Sequence, residues 1–228
     1  MSKKHEAPQG GDLDLGEVYT RTELFLEKNK KAILIGVGAL VVVVGGAIGY
    51  KKLVSEPNAQ AAADLIWKAQ YYFEIDSLDK ALNGDDQWPG FESIAADYGG
   101  TPSGELAHYY LGAIYMQKGD YENALTHYKE AEPGDDILRT MAVGNQGDAL
   151  VELGRADEAV KQFEKAANME TNDLTTPMYL MKAGILHQQV GNWKDAARDF
   201  KRIADQFPSS PDANQARKYA GRAEDMGR

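Results

Sequence analysis

The chain contains no cysteine, and its 228 residues include only four histidines. The absence of cysteine excludes disulfides and thiolate metal sites, and it is compatible with an oxidising compartment without requiring one. There is no phosphate-binding loop, zinc-binding motif or catalytic triad, and the histidines show no ligand spacing, so we predict surface or packing roles for them. Acidic turns such as 134–136 lack the glutamate of a calcium loop. The sequence therefore supports no enzyme, metal or cofactor.

Charge is missing altogether from one stretch, Ala32–Tyr50, which lies between two pairs of lysines. At about 1.5 Å per residue its 19 residues span the ~30 Å hydrocarbon thickness of a bilayer as a helix. A soluble core helix of this length would normally show a polar face. A signal peptide usually has a shorter apolar core, closer to the N-terminus. We predict a transmembrane helix over 32–50, with a cleaved signal or a buried helix as alternatives.

The segments around this stretch differ in composition. Residues 1–14 are polar and contain proline and glycine, which predicts a disordered tail. Residues 15–31 have a helical apolar period and are predicted to form a juxtamembrane amphipathic helix. Ser55–Asn58 is predicted to break the helix before the next one starts. Residues 57–228 show helical periods and no strand alternation, so we expect only helices there.

Charge also bears on orientation and partners. Lysine and arginine are only slightly more numerous before the apolar stretch than after it, which favours a cytoplasmic N-terminus weakly. Beyond Lys52 the chain carries 17 Lys and Arg against 29 Asp and Glu. So acidic a region is not expected to bind nucleic acid or to lie on anionic lipid.

One pattern occurs three times in the second half of the chain. Its positions are a mid-helix glycine (Gly112, Gly147, Gly184), a second glycine (Gly119, Gly154, Gly191), an alanine (Ala124, Ala159, Ala196) and an aromatic residue (Tyr128, Phe163, Phe200). A glycine inside a helix costs up to about 1 kcal/mol, so the first set predicts a closely packed partner helix. We expect the alanines to be its small contact residues and the aromatic residues to fill the wider end of the gap. The second set is predicted to end each first helix in a left-handed conformation.

A longer-range similarity extends this repeat in both directions. The pattern from Ile94 to Gly112 recurs from Ile203 to Gly221, with a constant offset of 109 residues. It predicts that Trp88–Tyr98 is the second helix of an earlier, degenerate hairpin, and that Ser210–Met226 caps the array. The expected fold is all-α, an α-solenoid of about four helical hairpins plus a C-terminal capping helix.

The repeated residues resemble the tetratricopeptide repeat, a 34-residue helix–turn–helix unit. Over about residues 30–228 the whole layout also resembles the YfgM-type ancillary factors of the Sec translocon, with one N-terminal span followed by such repeats. This resemblance implies a single-pass protein of the bacterial inner membrane, with a cytoplasmic N-terminus and a periplasmic repeat domain. The Sec translocon and a membrane-anchored periplasmic prolyl-isomerase-like chaperone are the partners it implies.

Repeats of this kind bind segments of other proteins on the concave face, which is lined by the first helix of each hairpin. With repeats starting at Glu105, Thr140 and Pro177, we predict a groove lined by Tyr109, Ala113, Met116, Met141, Asn145, Asp148, Met178, Met181, Ile185 and Gln188. Methionine adapts to many apolar ligands, which would suit the binding of unfolded client polypeptides. The alternative is that Met178 and Met181 only fill gaps between hairpins.

A second mode of recognition is disfavoured. Some arrays bind the C-terminal carboxylate of a chaperone with lysines and asparagines, and only Asn145 and Lys182 fit that pattern here. Two functions remain: an adaptor or holdase for newly translocated proteins beside the Sec translocon, or a structural scaffold of another envelope complex with one dedicated partner. Within the apolar stretch, Gly45 and Gly49 form a small-xxx-small pattern that could dock another helix, the alternative being a plain lipid anchor.

Overall fold

The computed structural model describes the backbone of residues 15–228 and the side chains of Glu23 and residues 25–228. The predicted tail at 1–14 and the side chains that would define the amphipathic face before Phe25 lie outside this part. Within it the chain is all-helical, with one isolated antiparallel bridge between Gly84 and Pro89 and no strand. The helices are α1 (Leu15–Tyr50), α2 (Glu56–Glu74), α3 (Leu78–Asn83), α4 (Phe91–Tyr98), α5 (Pro102–Lys118), α6 (Tyr121–Glu130), α7 (Asp136–Glu152), α8 (Ala156–Met169), α9 (Thr175–Gln189), α10 (Trp193–Gln206) and α11 (Ala213–Met226).

Helix α1 runs through both the predicted juxtamembrane segment and the apolar stretch. Among the described residues, one helical stretch, Phe25–Glu74, is long and apolar enough to cross a membrane. The large side chains of its apolar part are exposed, Val42 for example by 73%, which is not the state of a soluble core helix. The predicted break at Ser55–Asn58 is wrong. Residues 51–55 form a π-helical turn and α2 starts at Glu56, with Pro57 in its first turn, where a missing N–H is tolerated.

Residues 55–228 form a compact unit with two clusters of buried apolar side chains. The first cluster lies among α2–α5 and includes Phe91, Ile94 and Leu111. The second lies among α6–α11 and includes Phe163 and Phe200. Consecutive helices pack on one another from α4 to α11, so the unit is a linear array of hairpins. The predicted all-α repeat fold, closed by a C-terminal helix, is confirmed.

The glycine pattern has the predicted physical cause. A Cβ added to Gly112, Gly147 or Gly184 would lie 2.6, 2.5 or 2.6 Å from the ring of Tyr128, Phe163 or Phe200, respectively. Each ring belongs to the second helix of the same hairpin. The aromatic rings that were predicted to fill the gap are therefore the nearest neighbours of the glycines. The alanines Ala124, Ala159 and Ala196 are fully buried beside them.

The turns inside the hairpins are also confirmed. Gly119, Gly154 and Gly191 have φ of +76°, +72° and +81°, a left-handed conformation that strains residues with a side chain. In the first of these turns, Asp120 accepts a hydrogen bond from the backbone N–H of Asn123, 3.3 Å away, and so caps α6. A reversal that needs only two or three residues keeps the paired helices adjacent.

The earlier hairpin is less regular than predicted. Its second helix begins at Phe91 and not at Trp88, and the short helix α3 is inserted before it. Residues 84–90 form a tight loop that two glycines and Pro89 keep out of the helix. The hydroxyl of Tyr72 donates a hydrogen bond to Asp85, and Trp67 packs edge-on against Trp88, with ring centroids 5.3 Å apart. Side chains therefore hold this loop in place.

Candidate functional site

The first helices of the three regular hairpins lie side by side. The side chain of Asn145 on α7 lies close to Tyr109 on α5. Lys182 on α9 forms an ion pair with Asp148 on α7. We call the surface formed by the outward sides of α5, α7 and α9 the first-helix face.

The ten predicted groove residues lie on α5, α7 and α9. Nine of the ten are half-buried and Ile185 is exposed by 37%, as expected for side chains that line a surface without being its core. Met116, Met178 and Met181 also pack against the buried cluster of α6–α11. These three methionines therefore contribute to packing, and their role in binding stays a prediction.

The middle of the face is polar. Nζ of Lys182 lies 2.8 and 2.6 Å from the two carboxylate oxygens of Asp148. The same ammonium lies 5.6 Å from the ring centre of Phe163 and 5.7 Å from that of Tyr179, within the range of cation–π attraction. The positive charge of Lys182 is therefore already paired within the protein and is not available to bind the carboxylate of a ligand.

Three tyrosines surround this ion pair. Burial raises the pKa of Tyr109 and of Tyr128 above the ordinary value of a phenol, and a hydrogen bond to Asn145 opposes the rise in both. Burial also raises the pKa of Tyr179. All three are neutral hydroxyls at physiological pH. Asn145 lies beside two of these hydroxyls, and Lys182 is paired with Asp148, so the lysine that fitted a carboxylate clamp already has a partner within the fold.

A pocket of about 190 Å³ opens between the C-terminal halves of α7 and α9. It is lined by Asp148, Val151, Phe163, Lys182, Ile185, Leu186 and Gln189. Two of these, Asp148 and Ile185, are predicted groove residues. Val151 was missed because the prediction stopped at Asp148, one helical turn before the end of α7, and Gln189 because the prediction ended at the residue before it.

One more small residue shapes the face. A Cβ added to Gly144 would lie 2.0 Å from the ring of Tyr179, so this glycine lets α9 approach α7. The contact joins two neighbouring hairpins, whereas the three repeated glycines act within one hairpin. The sequence signal was present as a second glycine three residues before Gly147, but it occurs in one repeat only and so is absent from the shared pattern.

The structure also changes the description of the histidines. His108 and His127, which are 19 residues apart in sequence, face each other across the α5–α6 hairpin. His187 is buried beside Glu164 and Asp199. The prediction that the histidines lack ligand spacing holds along the chain but not in space.

Comparison with known proteins agrees with the hairpins. Models of the tetratricopeptide repeat match residues 105–132, 142–173 and 181–227, which correspond to α5–α6, α7–α8 and α9–α11. A TPR repeat-containing protein of Pseudomonas aeruginosa is 33% identical over 93 residues, which are 40% of this chain and 15% of that protein. The chain therefore contains tetratricopeptide repeats, which are scaffolds for protein–protein interaction.

A solved structure shows the same fold. A tetratricopeptide repeat protein from Parabacteroides merdae superposes with a TM-score of 0.57 at 21% sequence identity, over 72% of this chain and 60% of that one. At this identity the likeness establishes the fold alone. The chain spans less than two thirds of either protein, so their whole activities are not transferred to it.

Proposed function

We propose that this protein is an adaptor or holdase anchored in the bacterial inner membrane, and that its first-helix face binds apolar segments of newly translocated proteins or of a partner chaperone. The observation that carries the proposal is the pocket between α7 and α9. Its apolar walls, Val151 and Ile185, are partly exposed, and the same two helices carry the half-buried Met141, Met178 and Met181. Such a surface makes weak contacts with many apolar sequences, because methionine adapts its shape to them.

The membrane anchor would increase the binding of clients to a surface whose intrinsic affinity is low. A binding site tethered to the membrane meets emerging chains at high local concentration, which compensates for low intrinsic affinity. The exposed valines of α1 between two pairs of lysines support a lipid-embedded span. The resemblance of the layout to YfgM-type factors supports the Sec translocon and a membrane-anchored periplasmic prolyl-isomerase-like chaperone as partners, with the N-terminus in the cytoplasm.

Gly45 and Gly49 are the proposed contact with another transmembrane helix. A Cβ added to either would meet nothing within 4 Å, so this side of the helix is open to close approach. In the periplasm, the acidic repeat domain would be repelled by anionic headgroups and so stay available to clients.

A second function has an observation of its own. The ion pair of Asp148 and Lys182, with Asn145 and the tyrosines next to it, forms a polar centre on the first-helix face. Fixed polar groups of this kind favour one dedicated partner over many clients, as in a structural scaffold of an envelope complex.

Binding of unfolded proteins separates the two functions. Residues 55–228 contain both buried clusters, so this fragment is used to suppress the aggregation of a denatured client protein. We expect suppression, and we expect the Val151→Glu/Ile185→Glu and Met178→Glu/Met181→Glu variants to lose it. The side chains of Val151 and Ile185 are partly exposed, so their replacement leaves the core intact even where replacement of the two methionines unfolds the fragment.

A matched control reverses two exposed charges on α8, Lys161→Glu/Lys165→Glu. A fragment that ignores denatured clients but binds one partner tightly would favour the scaffold.

Orientation can be tested cleanly because the chain has no cysteine. A single cysteine at exposed Gly134 of the full-length protein should react with a membrane-impermeant maleimide once the outer membrane is permeabilised. A single cysteine at Ser2 should react only after the inner membrane is also disrupted. Extraction of the protein by alkaline carbonate, or the reverse labelling pattern, would contradict the proposed anchor or its orientation.

A further inference from the structure

Two histidines and a glutamate converge on one point of the α5–α6 hairpin. Nδ1 of His108 lies 3.1 Å from Nδ1 of His127. Oε2 of Glu130 lies 3.3 Å from the first of these nitrogens and 3.9 Å from the second. His127 and Glu130 are three residues apart on α6 and so share one face of that helix. The three potential ligand atoms form a small triangle.

The dimensions of this triangle match those of a metal site. With bonds of about 2.0–2.1 Å to nitrogen and oxygen, a tetrahedral zinc ion holds its ligand atoms about 3.3–3.4 Å apart. Two of the three observed separations lie close to this value. The third, between Glu130 and His127, needs a movement of only about half an ångström from a glutamate side chain that is 54% exposed.

The imidazoles are held in position before any ion arrives. The ring of His127 stacks on that of Tyr115, with centroids 5.3 Å apart and planes 2° from parallel. The hydroxyl of Tyr115 in turn donates a hydrogen bond of 2.5 Å to Glu92 on α4. The side chains of His108 and His127 are 16% and 18% exposed, respectively, so neighbouring residues restrict their rotation. Such preorganisation lowers the entropy cost of binding.

A second cluster of possible metal ligands already contains a positively charged side chain. Glu164, His187 and Asp199 also come together, but the guanidinium of Arg198 lies 2.6 Å from the first carboxylate and 2.9 Å from the last. This arginine already supplies a positive charge to both carboxylates. Among residues 25–228, the ion-pair partners found for Glu130 are the two histidines alone. Within this described part of the chain, the first cluster therefore has no arginine or lysine paired with its carboxylate, whereas the second has one.

We propose that His108, His127 and Glu130 bind a zinc ion through the two Nδ1 atoms and a glutamate oxygen. Two imidazoles and one carboxylate are ligands that zinc prefers, whereas magnesium and calcium prefer oxygen alone. The ion ties α5 to α6 and leaves a fourth position for water or for a side chain of a partner protein. Neither the membrane anchor nor the groove is needed for this site.

The test uses the full-length chain in detergent micelles, purified without a histidine tag and stripped with EDTA. Isothermal titration with ZnCl₂ should show one ion per chain, and MgCl₂ should show no binding. CoCl₂ should give the intense visible absorption of four-coordinate Co²⁺, a signal that packing roles of the histidines cannot produce. Zinc should also raise the melting temperature, because it binds the folded state.

The variants are His127→Gln and Glu130→Gln, with Glu122→Gln as the control on an exposed part of α6. Loss of a direct ligand should weaken zinc binding by at least about 10–100-fold, the range found for loss of outer-shell partners. Glu130→Gln changes a half-exposed side chain, so this variant should remain folded and test the site even where His127→Gln fails to fold. The Glu122→Gln and Glu164→Gln variants should bind as the unaltered chain does. Failure of that chain to take up zinc, or equal affinity in all variants, would overturn the proposal.

Discussion

The first hairpin and the three that follow it use different contacts to hold their two long helices together. In the regular hairpins a mid-helix glycine receives an aromatic ring and a left-handed glycine reverses the chain. In the first hairpin an extra helix, α3, and the loop 84–90 separate the two long elements, and the contacts of Tyr72 and Trp67 hold the loop. The regular hairpins therefore depend on the absence of side chains inside their helices. The first hairpin depends on particular side chains that hold its loop, in addition to the glycines of that loop.

The largest loss of stability is expected when a large side chain is removed from either buried cluster. Phe91 and Phe200 are fully buried, one in each cluster, so Phe91→Ala and Phe200→Ala should each lower the free energy of unfolding by about 3–5 kcal/mol. Hydrogen exchange should show lost protection mainly in α2–α4 for the first and in α9–α11 for the second. Ile137→Ala, at an exposed position, serves as the control in urea unfolding. Equal loss of protection everywhere would mean that the two clusters behave as one cooperative core.

A smaller loss of stability should distinguish the loop of the first hairpin from the turn of a regular hairpin. Gly84 has φ of +83°, and a Cβ there would lie 2.3 Å from the backbone oxygen of Trp88. Gly119 has φ of +76° but open space around it. We expect Gly119→Ala to cost about 1 kcal/mol from backbone strain, and Gly84→Ala about 2–3 kcal/mol because a steric clash is added. Thermal unfolding of both variants measures the difference, and equal costs would show that the loop 84–90 can yield.

The smallest effect concerns glycine inside the regular helices. Gly184→Ala gains helix propensity but places a methyl group against the ring of Phe200, so we expect a net loss of about 1 kcal/mol. Gly221→Ala on α11 meets nothing within 4 Å and should instead stabilise the protein by about 0.5–1 kcal/mol. Opposite signs in chemical denaturation are the expected result. Stabilisation by both changes would contradict the close packing of α9 on α10.

The candidate site was predictable to the extent that it follows the repeat. The ten predicted groove residues lie on α5, α7 and α9, because the repeated glycines mark each first helix, and their role in binding stays a prediction. The pocket, the ion pair of Asp148 with Lys182 and the fit of Gly144 to Tyr179 were not predicted. These contacts join different hairpins, and their geometry depends on how one repeat is placed on the next.

By itself, the sequence determined the helical hairpins, their left-handed turns and the apolar stretch. Periodicity and single glycines act locally, within one hairpin or one helix, and so can be read along the chain. Only the tertiary structure decided how closely the aromatic rings approach the glycines, that α3 interrupts the first hairpin, and that His108 meets His127. Each of these depends on the distance and angle at which residues remote in sequence approach one another, and packing of the whole array sets both.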